Sequence, residues 1–189
     1  GDAQANNMKD SGLKVIVGLR EGSPTWNKAK DDGHQVMSVA DATKQADIIH
    51  ILLPDMVQAK VYKEEIGPNL SEGNALSFSH AAAIYWKWID APENVDLIMV
   101  APKGPGSKVR ETYLQNFGTP SIVAVEQDKT GKAWDRTLGI AKAIGSARAG
   151  LIQTTFKEEV ETDWFGEQAD LCGGSASMVV NAFETLVEA

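Results

Sequence analysis

Cysteine is almost absent: Cys172 is the single one in 189 residues, which excludes an intrachain disulfide and fits a reducing compartment. Long apolar runs are absent too. The most apolar stretch, Ile48-Ile49-His50-Ile51-Leu52-Leu53, is strand-length and carries a histidine, well short of the roughly 18 residues a membrane helix requires. Cations are in deficit, with 18 Lys+Arg against 26 Asp+Glu for a net charge of −8, and no basic stripe exists to displace counterions from a nucleic acid. A small anionic ligand, needing only one or two local cations or a metal, stays open. The opening Gly-Asp-Ala-Gln-Ala-Asn-Asn lacks both a basic region and an apolar core, so no secretory leader is read there. The expectation is a cytoplasmic chain whose first residue is not its natural start.

What is present is ordinary globular composition, 43% hydrophobic and 23% charged. Strand-length apolar runs alternate with helical patterns. Strands are expected over 14–19, 35–37, 46–53 and near 74–78, 95–101 and 120–125, with helices over 25–32, 56–66 and 132–144. Asp41 is read as the cap of a helix between the second and third strands. Strand, helix, strand at this spacing means parallel crossovers, and uniformly apolar strands mean burial on both faces. The expected fold is α/β, a Rossmann-type parallel sheet lacking its first strand. The texture changes after Leu151-Ile152: residues 156–189 are acidic and suit helices joined through Gly173-Gly174. A boundary near Thr155 follows, and the second unit is too short to fold alone.

Two segments carry chemistry. A helical stretch from Gly1 to Gly12 followed by a strand ending at Arg20 resembles the back half of a dinucleotide-binding turn. In such a unit the residue after the second strand meets the adenosine ribose. An arginine there suits a 2′-phosphate, and Ser23 and Thr25 supply hydroxyls. Glu21 is discordant, and a solvated loop arginine beside a Ser23-Pro24 helix cap is an equally open reading. Farther on, Asp163 and Glu167 stand at i and i+4, one helical face within reach of a hard cation. Spacing alone favours a solvated acidic face, given Glu158, Glu159, Glu161 and Asp170 nearby.

These segments, with Val17-Gly18-Leu19-Arg20, Leu52-Leu53-Pro54-Asp55, Val100-Ala101-Pro102-Lys103-Gly104-Pro105-Gly106 and the run from Thr154 to Gly174, resemble ketol-acid reductoisomerase nearly end to end. The resemblance implies NADPH, two Mg²⁺ ions and a small 2-aceto-2-hydroxy acid, in a homo-oligomer of the branched-chain amino-acid pathway. Asp163 would bridge both metals and Glu167 bind one. Lys103 would sit by the substrate oxygens, and His80 near the nicotinamide. Arg20, Ser23 and Thr25 match the 2′-phosphate loop, Leu53, Pro54 and Asp55 the cofactor cleft, and Gly1 the third glycine of the fingerprint. The domains would be 1–155, NADP-binding, and 156–189, the start of a helical metal-binding domain. His34 and His50 are given no role, Cys172 is read as a small buried residue, and Trp86, Trp88, Trp134 and Trp164 as packing.

The chain departs from the family in several places. The leading glycines are missing, and Asp2 stands where histidine is usual. Ala81-Ala82-Ala83 replaces Gly-Phe-Asn, and the second carboxylate pair is not present. A nucleotide-binding or inactive fragment, or another Rossmann-type dehydrogenase with a coincidental acidic pair, are the competing expectations.

Overall fold

The computed structural model describes residues 1–188, and its first turn is set by Gly1, which precedes helix α1 (Asp2–Asp10). Strand β1 (Ile16–Gly18), helix α2 (Pro24–Asp31), strand β2 (Gln35–Met37) and helix α3 (Val39–Gln45) follow, with β1 and β2 parallel. The cap of α3 is not Asp41. Ser38 Oγ accepts from Asp41 N at 3.1 Å, and Asp41 supplies the reciprocal carboxylate to the Ser38 hydroxyl at 2.8 Å. The acid therefore occupies the third helical position of a capping pair, a favourable place for it near a helix start.

Strand β3 (Ile48–Ile51) opens the larger sheet. Helix α4 (Asp55–Val61) runs into a π turn over Tyr62–Ile66, and strand β4 (Ala75–Phe78), short helix α5 (Ala82–Tyr85) and strand β5 (Asp96–Pro102) complete its parallel half. Helix α6 (Gly106–Leu114), strand β6 (Ser121–Gln127), helix α7 (Ala133–Ala143) and strand β7 (Leu151–Gln153) follow. The strand order is β3-β4-β5-β6-β7. One strand departs from the expected parallel pattern: β6 runs antiparallel to β5, with Pro102 opposite Ser121. β7 is again parallel to β6.

The strands at the sheet centre are apolar on both faces, as covering helices on each side demand. One core, built on Leu76, Phe78, Met99 and Ala101, packs α5 and Phe156; the other, on Ile98, Val100 and Val123, packs α7. Asp96 is fully buried at the start of β5. It accepts from Lys129 N, Thr130 N, Thr130 Oγ1 and Arg136 Nη1, all at 2.7–2.9 Å, and so ties the β6–α7 loop to the sheet.

β1 and β3 do not hydrogen-bond to each other. An apolar cleft of about 600 Å³ lies between them, lined by Ile16, Val17, Ile49 and Ile51 among others. The order of a Rossmann sheet puts its first strand in that position. Two further helices close the described chain. Helix α8 (Phe156–Gly166) continues through a π turn, Glu167–Leu171, and helix α9 (Gly174–Glu188) exposes Met178, Val179, Phe183 and Leu186. Between them a Cβ at Gly173 or Gly174 would collide with the carbonyl oxygens of Gln168 and Ala169, so this corner demands glycine.

Candidate active site and cofactor cleft

Helix α8 is aimed by its own sequence. Thr155 caps it, accepting from Glu158 N at 3.1 Å, while Thr154 Oγ1 holds the Glu158 carboxylate at 2.8 Å. Phe156 and Val160 are buried, and Phe156 meets Phe78 edge-on at 6.4 Å. Those anchors turn the face carrying Glu159 and Asp163 toward the C-terminal ends of β4 and β5, where His80 and Lys103 stand. Sites in open α/β sheets collect at that edge.

Four groups meet there. Lys103 Nζ lies 2.9 Å from Asp163 Oδ1 and 3.4 Å from Glu159 Oε1. His80 Nδ1 lies 3.1 Å from the Glu159 carboxylate and 3.5 Å from Asp163 Oδ2. Ala81 N also donates to Glu159, at 3.2 Å. The acid that composition dismissed as part of a solvated face, Glu159, is thus only 1% exposed and has three donors. Helical spacing contained the signal, since Phe156, Glu159, Val160 and Asp163 share one face, but only the fold shows which way that face points.

Burial works against a charged His80. The hydrogen bond to Glu159 and the charges of Glu159 and Asp163 outweigh it and hold the imidazole pKa above its ordinary value. His80 Nε2 is buried with no hydrogen-bond partner among the described residues. The Trp164 ring lies 6.1 Å from the His80 ring and stacks on Trp86 at 6.0 Å, with Trp88 at 6.2 Å. These tryptophans pack, as their sequence suggests, but they pack against the site, and Trp164 remains 38% exposed. Ala81, Ala82 and Ala83 are fully buried, so α5 fits closely under His80.

The fourth sequence candidate, Glu167, is not in this cluster. The helix widens into its π turn at that residue, and the Glu167 carboxylate accepts from the exposed Cys172 thiol instead. Cys172 is therefore not a buried residue: it lies at the exposed corner before Gly173, and the Glu167 hydrogen bond pushes its thiol pKa up. As for a metal, His80, Glu159 and Asp163 each bring one ligand atom within 4.8 Å of the others. Carboxylate oxygens are the donors a hard divalent ion takes, and the ammonium lodged between Glu159 and Asp163 shows that the pair already attracts positive charge. The donor chemistry fits Mg²⁺, with Asp163 the more accessible acid at 32% side-chain exposure against 1%.

The cofactor candidates occupy a separate edge. Arg20 is exposed after β1, and Gly22, at φ +71°, turns the chain toward α2. Ser23 holds the cap position of α2 without capping it; its hydroxyl faces Thr25 Oγ1 at 3.4 Å. Across from this loop, α1 starts with no side-chain cap, and Gly1 abuts Leu52. Thr25, Gly1, Leu53 and Pro54 line the cleft between β1 and β3. A second hollow of about 310 Å³ then joins Gly1, Leu53 and Asp55 to His80. The α1 N-terminus at the cleft, the Ser23 and Thr25 hydroxyls, held only by each other at 3.4 Å, and the exposed Arg20 guanidinium fit a phosphate-bearing dinucleotide. His34 and His50 also line the cleft between β1 and β3, and each is held by side chains of the fold. His34 Nε2 meets Asn6 Oδ1 at 2.8 Å; His50 bridges Ser77 and Gln4, and burial pushes its pKa down to about 4.

Comparison with known proteins gives the family. Residues 1–150 match the family model described as acetohydroxy acid isomeroreductase, NADPH-binding domain, and residues 156–189 match the ketol-acid reductoisomerase C-terminal domain. The chain belongs to the ketol-acid reductoisomerase family. It is 86% identical over its full length to ketol-acid reductoisomerase (NADP(+)) of Nitrosopumilus maritimus, and 58% identical to that of Methanopyrus kandleri. It spans 57% and 58% of those relatives' lengths. Among solved structures, an NADH-preferring ketol-acid reductoisomerase from an uncultured archaeon matches with TM-score 0.94 at 47% identity, over all of this chain and 58% of that one. A semialdehyde dehydrogenase NAD-binding protein from Cupriavidus necator, at 20% identity and TM-score 0.76, shares the fold.

Proposed function

We propose that this chain supplies the NADPH-binding domain, residues 1–155, and the first metal-binding helices, residues 156–189, of a ketol-acid reductoisomerase. The reaction is an alkyl migration in a 2-aceto-2-hydroxy acid such as 2-acetolactate. Reduction by NADPH to the 2,3-dihydroxy acid follows, serving branched-chain amino-acid synthesis, in a homo-oligomeric cytoplasmic enzyme. The observation that carries this reading is the meeting of Lys103, His80, Glu159 and Asp163 at the strand ends, with a hollow leading from His80 to Gly1.

Asp163 would hold Mg²⁺, joined by Glu167 one turn on once its carboxylate leaves the Cys172 thiol, and the ion when bound supplies Lewis-acid polarisation of the substrate oxygens. Lys103 contributes a fixed positive charge beside those oxygens and a proton donor for a developing alkoxide. Glu159 is a positioning residue: its buried carboxylate orients Lys103 and His80 by direct hydrogen bonds. His80 holds a proton at Nδ1 toward Glu159, with Nε2 uncommitted to protein. Arg20, Ser23 and Thr25 would bind the adenosine 2′-phosphate, and Leu53, Pro54 and Asp55 would line the path to the nicotinamide.

The test is NADPH oxidation by the full-length protein with 2-acetolactate, with and without Mg²⁺. Turnover that needs both substrate and metal supports the reading. Metal-independent reduction of a simple ketoacid would transfer the chain to another dehydrogenase class, and tight NADPH binding without turnover would leave a binding module.

A further inference from the structure

The cofactor cleft carries a charge arrangement that the fingerprint residues do not explain. Asp2 opens α1, the helix whose amides would face the pyrophosphate, so its carboxylate should repel that ligand. It does not turn away to solvent unpartnered. Lys28, one turn after Thr25 on α2, reaches across to Asp2 Oδ2 at 3.0 Å while also contacting Asp32 Oδ2 at 3.3 Å. Asp2, Thr25, Lys28 and Asp32 all line the same cleft as Gly1 and Pro54. The Lys28 hydrogen bond, aided by Ala3 N–H, holds the Asp2 carboxyl below its usual range.

An ion pair this exposed adds little to folding, with side chains 56% and 69% accessible. Its position matters more than its strength. The geometry points to Lys28 as a pyrophosphate-anchoring residue, parked on Asp2 in the free protein and passing to the dinucleotide phosphates on binding. This rests on the dinucleotide reading above and adds a residue outside the 2′-phosphate loop. Because the ammonium sits at the α1 end, it addresses the pyrophosphate common to NADP⁺ and NAD⁺. Without it, Asp2 and Asp32 face an incoming anion uncompensated.

The test is calorimetric titration of NADP⁺ and of NAD⁺ into the full-length protein and its variants. Lys28→Met should weaken both by the same factor, about tenfold, the scale of one exposed charge-assisted hydrogen bond. Arg20→Ala should weaken NADP⁺ alone. Asp2→Asn should tighten both and partly rescue Lys28→Met, and it keeps the inference testable should Lys28→Met fold poorly. Unchanged constants in Lys28→Met, or a loss confined to NADP⁺, would overturn the inference while leaving the dinucleotide reading intact. Wild-type protein that binds neither dinucleotide would overturn both.

Discussion

The two functional edges of the molecule are built on opposite terms. At the strand ends of β4 and β5, Lys103 and His80 Nδ1 are paired with the carboxylates of Glu159 and Asp163, and Glu159 is sealed beneath them. Around Arg20 the side chains are exposed and Ser23 caps nothing. In the first arrangement both carboxylates are paired before any ligand arrives, so its geometry is held by the fold. The second is held by little beyond the long Ser23–Thr25 hydroxyl contact, which leaves it free to adapt. On the proposed reading, preorganisation is therefore concentrated where bonds would change, and adaptability where a cofactor would be held.

The sharpest way to break that contrast is Asp163→Asn in the full-length protein. A neutral amide cannot hold a divalent cation as the carboxylate does, and isomerisation should fall about a thousandfold, several kcal/mol of lost transition-state stabilisation. Wild-type turnover would remove Asp163 from the metal site. Glu159→Ala comes next, now in stability. It strands the Ala81 N–H and leaves Lys103 and His80 with Asp163 alone, and should cost about 2–3 kcal/mol in urea unfolding, toward the lower end because Lys103 is partly exposed and keeps Asp163. A cost near zero would mean the cluster is not preorganised.

The same cluster should respond to pH with a defined sign. The folded pKa of His80 is raised, so the stability from its pairing is full below the unfolded histidine pKa, about 6.5, and disappears as pH rises through the folded value. The unfolding free-energy gap between wild type and His80→Gln should therefore shrink from about pH 6 upward; a gap that is flat or widens would show that His80 is not charged in the fold. At the other edge, Arg20→Asp should reverse preference from NADP⁺ toward NAD⁺ by about tenfold or more, read from the two dissociation constants. An unchanged ratio would place the 2′-phosphate elsewhere. The smallest effect separates two serines. Ser38→Ala removes a working cap and should cost about 1 kcal/mol, whereas Ser23→Ala should change stability by less than about 0.5 kcal/mol.

Ser23 and Ser38 also show how far local pattern carries. Both precede helices, and a sequence reading assigns caps by residue type; Asp41 attracted the assignment that belongs to Ser38 three residues earlier. Strand positions were legible because apolar β-branched runs bury in a sheet wherever it lies. The antiparallel turn of β6 was not, since α6 connects equally well to either direction. Glu159 was hidden among acids, and Glu167 looked like a natural partner of Asp163 at i+4. Glu167 does keep the α-helical step, its N–H bonded to Asp163 O, but its carboxylate is turned to the Cys172 thiol and away from the cluster.

Alternating periodicity, the phosphate-loop residues and the ordered motifs from Arg20 to Gly174 sufficed for an α/β fold and for a family. Those features are local, encoded in neighbours within a few residues. Tertiary structure alone decided that Glu159 is the buried hub, that Trp164 lies against His80, and that Lys28 meets Asp2 across the cleft. Each joins residues far apart in the chain: Lys28 and Asp2 by 26 positions, Glu159 and Lys103 by 56, Glu159 and His80 by 79, and Trp164 and His80 by 84. Such contacts depend on how helices dock on the sheet, and docking is set by apolar burial that takes no account of which polar groups it brings together.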